Sequence, residues 1–269
     1  MNIREYALRI LNGSNLEEKL LSPALVTELK NSQIDCNWSE LKRPSGLGFT
    51  GIRDSFPKKQ SFHQAKNRGK AFHFFANHEL LAIEIMALTL VRVAMPEDIA
   101  AKILKTIGDE QKHFRNYLVR MQELGVEFGE FSLNDFFWKY ATRIKSLEDY
   151  FSQMSLTFEN ANLDFATSYL EIFQEYGDFE SAAIVQEVLE DEIHHVSLGA
   201  TYLKLTKPPE SDLWSYYTSL LPSDLSPSRG KGVVLYPDPR LKAGLTEDFI
   251  QRLDAYRGPL NQLNRKEWK

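Results

Sequence analysis

The chain has 269 residues, 43% of them hydrophobic, which is enough to bury a sizeable core in one domain with flanking segments. Its formal charge is −5, so no strong acidic or basic field points to nucleic acid or a membrane surface, and the four positive charges of two divalent ions would bring it to −1. The single cysteine, Cys36, allows no internal disulfide.

The start, Met1-Asn2-Ile3-Arg4-Glu5-Tyr6, lacks the apolar run of a signal peptide. Stretches of about 20 apolar residues are needed to span a bilayer, and none is expected here. A cytoplasmic protein without membrane insertion is the expectation. Residues 3 to 12 and about 15 to 31 have the pattern of short amphipathic helices on either side of Gly13 and Ser14. An irregular strap begins at Arg43-Pro44-Ser45-Gly46-Leu47-Gly48 and leads to a long helix starting near Phe62.

The next stretch predicts four long helices in two antiparallel hairpins. The first carries an apolar stripe of Phe72, Phe75, Ile83, Met86 and Leu90 with Glu79 inside it. The second runs Ile99, Ile103, Ile107, Glu110, His113, Phe114, Tyr117, Met121 and Leu124, so an acid and an imidazole replace core residues. Leu124-Gly125-Val126 ends this helix, and Ser132 to Arg143 predicts a short crossing helix between hairpins. The third helix is apolar nearly all round from Leu147 to Phe173; Glu159 can share a face with Leu156, Leu163 and Leu170, but register does not single it out. The fourth has Val185, Val188, Glu192, His195, Val196, Gly199 and Leu203 on one stripe. His194 falls instead on a polar stripe with Ala183, Glu187, Glu190, Ser197 and Thr201, and is read as facing solvent.

Spacing ties these helices together. Glu79 and Glu110 are 31 positions apart, Glu159 and Glu192 are 33 apart. Facing residues of a helical hairpin are equidistant from its turn, because both arms rise equally per residue. The midpoints fall between residues 94 and 95 and between 175 and 176, beside the breakers Met95-Pro96-Glu97-Asp98 and Glu175-Tyr176-Gly177-Asp178. Two copies of Glu-x-x-His, each with a partner glutamate at matching distance, form the pattern of di-iron and di-manganese helical bundles. Four buried carboxylates need compensating positive charge. Two iron ions are the expected cofactor, with manganese or a mixed manganese and iron pair as alternatives, since the ligand types alone do not choose.

Around these ligands, Asp109 and Asp191 are candidates to orient the ligating histidines, and His78 and Glu84 flank Glu79 as further outer-shell candidates. Solvent exposure is the competing reading for all four. Tyr117, one turn after His113, is a speculative redox residue whose simpler reading is a core aromatic.

After Leu205 come Pro208, Pro209, Pro222 and Pro227, then Arg229-Gly230-Lys231-Gly232 and Pro237-Asp238-Pro239-Arg240. This composition predicts an irregular arm with one short helix. As a functional element it would be a lid or a basic contact for an anionic substrate; as a structural one, the preferred reading, a packing strap or oligomer arm. The expected organisation is therefore residues 1–61 as helices and strap, 62–206 as a ferritin-like four-helix bundle, and 207–269 as the arm.

The segment from Phe72 to Gly199 contains His78-Glu79-Leu80-Leu81-Ala82-Ile83-Glu84, Asp109-Glu110-Gln111-Lys112-His113-Phe114, Glu159-Asn160-Ala161-Asn162-Leu163-Asp164 and Asp191-Glu192-Ile193-His194-His195-Val196. It resembles the bacterial ferritin-like family known as domain of unknown function 455, with Asp109 and Asn162 as mild departures. The resemblance implies Glu79, Glu110, His113, Glu159, Glu192 and His195 as ligands, and so favours Glu159 on the third helix. The family in turn looks like a relative of di-iron hydroxylases, including those acting on modified tRNA. The implied activity is an oxygen-dependent oxidase or hydroxylase of an unidentified small molecule or modified nucleoside, with Glu110 and Glu192 as bridging carboxylates. No dinucleotide fingerprint is present, so a separate electron-donor protein is expected. A homodimer is compatible with this chain. The competing functions are a ferroxidase or iron-handling protein, and a metal-stabilised interaction module without turnover.

Overall fold

The computed structural model describes residues 1–30, 41–52 and 54–258. Cys36 lies outside these, as do the ends of the expected second amino-terminal helix and of the carboxy-terminal arm. The described residues are all-helical, with only isolated bridges between Asn2 and Glu28 and between Phe49 and Leu133. The chain divides into two compact units, Met1–Ser146 and Leu147–Lys269. This division falls between the two hairpins, so each terminal segment clusters with one hairpin.

In the first unit, α1 (Ile3–Asn12) is capped by Asn2, whose Oδ1 accepts the Glu5 N–H at 2.8 Å. Its buried face of Ile3, Tyr6, Ala7, Ile10 and Leu11 packs on α3 (Ala65–Arg92). The helix expected over residues 15 to 31 is only α2 (Leu16–Lys19) and a 3-10 turn, Pro23–Leu25. Proline at residue 23 suits a helix start but not an interior.

Helices α3 and α4 (Glu97–Glu123) form the first hairpin. The chain leaves α3 at Val93 and re-enters at Pro96, around the expected midpoint, and Glu97 and Asp98 in the first turn complement the helix dipole. Gly125 adopts φ +76°, and the Val126 N–H returns to the Met121 carbonyl at 2.9 Å, closing α4 with a Schellman-type cap. The crossing helix is shorter than expected, confined to α5 (Trp138–Ala141). By length and composition α3 could cross a membrane, contrary to the expectation from the sequence, but 78% of that apolar stretch is buried inside the protein. Its apolarity serves a core that surrounds it on nearly all sides.

In the second unit, α6 (Leu147–Gln153) runs through a π-helical turn, Met154–Glu159, directly into α7 (Asn160–Glu175). Gly177, at φ +72°, ends α7, and Asp178 caps α8 (Phe179–Thr206) by accepting the Ser181 N–H. This turn, at residues 176–178, directly follows its expected midpoint. Close approach within the unit requires Gly199, since a Cβ there would lie 2.3 Å from the Cβ of Ser155.

The carboxy-terminal arm is more ordered than its composition suggested. It contains α9 (Leu213–Leu220), α10 (Pro237–Lys242) and α11 (Glu247–Ala255) in place of one short helix. Asp212 and Thr246 cap α9 and α11, and Pro237 opens α10, so short helices restart after each proline-rich interruption. Tyr217, Phe249 and Leu253 are buried, with the Trp214 ring 5.4 Å from that of Phe249.

Candidate metal centre

The long helices point their acids and imidazoles inward. In the first unit Glu79, Glu110 and His113 are 5%, 1% and 0% exposed, although all three are polar. Each offers one ligand atom, and these atoms lie within 4.8 Å of one another. The ring Nδ1 of His113 stands 2.9 Å from Oε2 of Glu110, one helical turn earlier. Two carboxylates and an imidazole converging in a buried place suit a divalent ion by donor type, charge and spacing.

The second unit repeats the chemistry. Glu159, Glu192 and His195 are all buried. Glu159 and His195 offer atoms within 4.8 Å of each other, and His195 Nδ1 lies 3.7 Å from Glu192 Oε2. The side-chain amide of Asn162 donates to Oε1 of Glu192 at 2.9 Å. Asn162 therefore contributes to the site as an orienting donor, a role not assigned from sequence. Its signal was its position, three residues after Glu159 on the same helix.

The π turn accounts for the ambiguity of the third helix. Continued in α-helical register, the inward stripe of Tyr150, Phe151 and Met154 would pass through Phe158, Phe165 and Ser168. One inserted residue passes it instead through Glu159, Leu163, Ala166 and Phe173. Leu163 and Phe173 are fully buried, whereas Phe165 and Ser168 are only half-buried.

The outer candidates divide. Asp109 is paired with Lys105 at 2.8 Å, one turn back on α4, and Asp191 is half-buried on α8. His78 is half-buried, its ring 5.0 Å from that of Phe137, and burial holds its imidazole down to about 4. Glu84 is fully buried, so the solvent-facing reading is wrong for it. Its two oxygens are taken by Lys19 Nζ at 3.0 Å and Arg43 Nη2 at 2.7 Å, and Arg43 Nη1 also donates to Asn77 Oδ1. Glu84 thus anchors α2 and the strap to α3 through a buried ion triad; neither cation was singled out in the sequence. Tyr117 packs among Phe72 and Phe75, ring centroids 5.4 and 5.7 Å away, as a core aromatic does. His194 is exposed, as its polar stripe indicates.

Two basic residues of the arm are also committed to structure. Arg240 is fully buried and holds Asp164 of α7, and Lys231 donates to the Leu253 carbonyl at 2.6 Å near the end of α11. Neither is a free contact for an anionic substrate.

The fold and these side chains define an all-helical protein whose buried carboxylate and imidazole groups can hold metal. The chain belongs to the family described as Protein of unknown function (DUF455), which matches residues 14–251. No curated protein and no solved structure matches it.

Proposed function

We propose that this protein is a non-haem di-iron oxidoreductase of the ferritin-like class, an oxygen-dependent oxidase or hydroxylase of an organic substrate. Glu79, Glu110 and His113 would hold one ion, and Glu159, Glu192 and His195 the other. Support comes first from the mutual approach of Glu79, Glu110 and His113 within 4.8 Å in a buried environment. Each buried carboxylate costs several kcal/mol in desolvation unless compensated, and a divalent cation offsets the charge of two carboxylates.

When bound, two irons supply one-electron changes at each ion and so the capacity to reduce dioxygen. The chain's own groups bind and orient. The two imidazoles offer neutral nitrogen, the four carboxylates supply charge, and Asn162 fixes one oxygen of Glu192 so that the other is presented in a set direction. Phe72, Phe75 and Tyr117 pack against one another on the ligand helices α3 and α4. Asp109 and Asp191, on the helices of the ligating histidines, would serve as orienting carboxylates.

Metal analysis with oxygen-uptake measurements tests the reading. Two irons per chain with oxygen consumption would support it. Iron binding followed only by accumulation of ferric iron would favour the iron-handling alternative, and stabilisation by metal without oxygen uptake would favour the module without turnover.

A further inference from the structure

The π turn is built into its surroundings by hydroxyl groups outside the ligand set. Thr157, at its centre, is fully buried and donates its Oγ1 hydrogen bond to the Ser152 carbonyl, five residues back, at 2.8 Å. The same oxygen lies 2.8 Å from the hydroxyl of Tyr217, itself fully buried on α9. An α-helical turn would claim backbone carbonyls four residues back, so an i to i−5 side-chain bond matches the widened turn. Gly230 of the arm completes the cradle: a Cβ there would come within 3.1 Å of the Leu156 carbonyl and 3.5 Å of the Tyr217 hydroxyl.

We propose that Thr157 and Tyr217 are positioning residues for the metal centre, holding the turn open so that Glu159 stays on the ligand face of its helix. One residue of α-helix subtends about 100°. Closing the turn to α geometry would therefore carry the Glu159 carboxylate around the helix by that angle, away from His195. The carboxy-terminal arm thereby acquires a role in metal binding: α9 reaches the ligand helix through one phenol. This inference rests on Glu159 being a ligand.

The full-length chain and Co2+ as the spectroscopic probe test it. Tyr217→Phe and Thr157→Val each remove one hydroxyl with little change in volume. Each is expected to weaken Co2+ binding at the Glu159 site by about 10–100-fold, the usual cost of losing a group that orients a ligand, and to alter the visible spectrum of bound Co2+. Thr157→Ser keeps the hydroxyl and is expected to restore both. Wild-type binding and spectrum in Tyr217→Phe and Thr157→Val would overturn the proposal, as would failure of Thr157→Ser to recover them. If Thr157→Val does not fold, Tyr217→Phe decides alone. Glu159→Ala separates this from the functional reading: loss of Co2+ there with wild-type binding in the hydroxyl variants refutes only the positioning role, while unchanged binding in Glu159→Ala refutes both.

Discussion

The guanidinium of Arg240, fully buried, bonds both oxygens of the Asp164 carboxylate, with Nη2 to Oδ2 at 2.9 Å, and its remaining reach goes to the carbonyls of Asn160, Gly230 and Tyr236. Asp164 also accepts the backbone N–H groups of Gly232 and Tyr236 at 2.7 and 2.8 Å. One carboxylate on α7 thus organises the loop that leads into α10 and the guanidinium that α10 carries.

Arg240→Ala should therefore destabilise the protein by about 3–5 kcal/mol, because it leaves a buried carboxylate without its counter-charge. Denaturant unfolding of the metal-free protein measures this. A loss below about 1 kcal/mol, of the order of an exposed pair, would show that the clamp is not buried in solution.

Gly199→Ala should cost about 1–3 kcal/mol, and more if the backbone cannot shift, because the new Cβ meets Ser155 at 2.3 Å. In an unobstructed helix interior the same change is stabilising by up to about 1 kcal/mol. The sign of the change in melting temperature therefore decides whether α8 and the π turn are in contact.

His73 should give the protein a pH dependence unrelated to metal. It is fully buried, its Nε2 accepts the Gly129 N–H at 3.0 Å, and burial pushes its imidazole from 6.5 down to about 4. Glu130 and Asp54 oppose that shift and Lys70 reinforces it. The unfolded chain binds the proton first as pH falls, so this contribution is full above pH 6.5 and lost progressively toward pH 4. At about 1.4 kcal/mol per pKa step, up to about 3 kcal/mol is at stake. Metal-free His73→Gln, which retains an acceptor but cannot titrate, should show a flatter stability profile between those limits; an unchanged slope would remove His73 as its source.

Asn162→Ala should weaken metal binding by about 10–100-fold at the Glu192 site with little effect on helix content. Its amide is the donor that holds Glu192 Oε1. Equilibrium Co2+ titration of the variant checks this, and wild-type affinity would show that Glu192 is oriented by other contacts.

The hairpins and most of their inward residues were legible because apolar periodicity and breakers point to the same places. Pro96 and Gly177 mark the turns, and Glu110, His113, Glu192 and His195 stand where only core residues otherwise occur. Glu159 was ambiguous by register for a physical reason: a π turn adds a residue without any composition that announces it, and α6 and α7 are apolar on most sides. Glu84 was left open between an outer-shell and a surface acid because its partners Lys19 and Arg43 lie 65 and 41 positions away, beyond any local pattern. The arm was underestimated because proline and glycine obscure helices as short as α9, α10 and α11, whose order depends on long-range contacts such as that of Arg240 with Asp164.

The most direct test is metal stoichiometry with Mössbauer spectra on anaerobically prepared protein, before and after oxygen, in the wild type and in the double variant His113→Ala with His195→Ala. The account predicts two irons per wild-type chain, an oxygen-dependent change in their spectrum, and loss of iron in the double variant. A wild-type chain that takes up no iron, or a double variant that keeps its full complement, would contradict it.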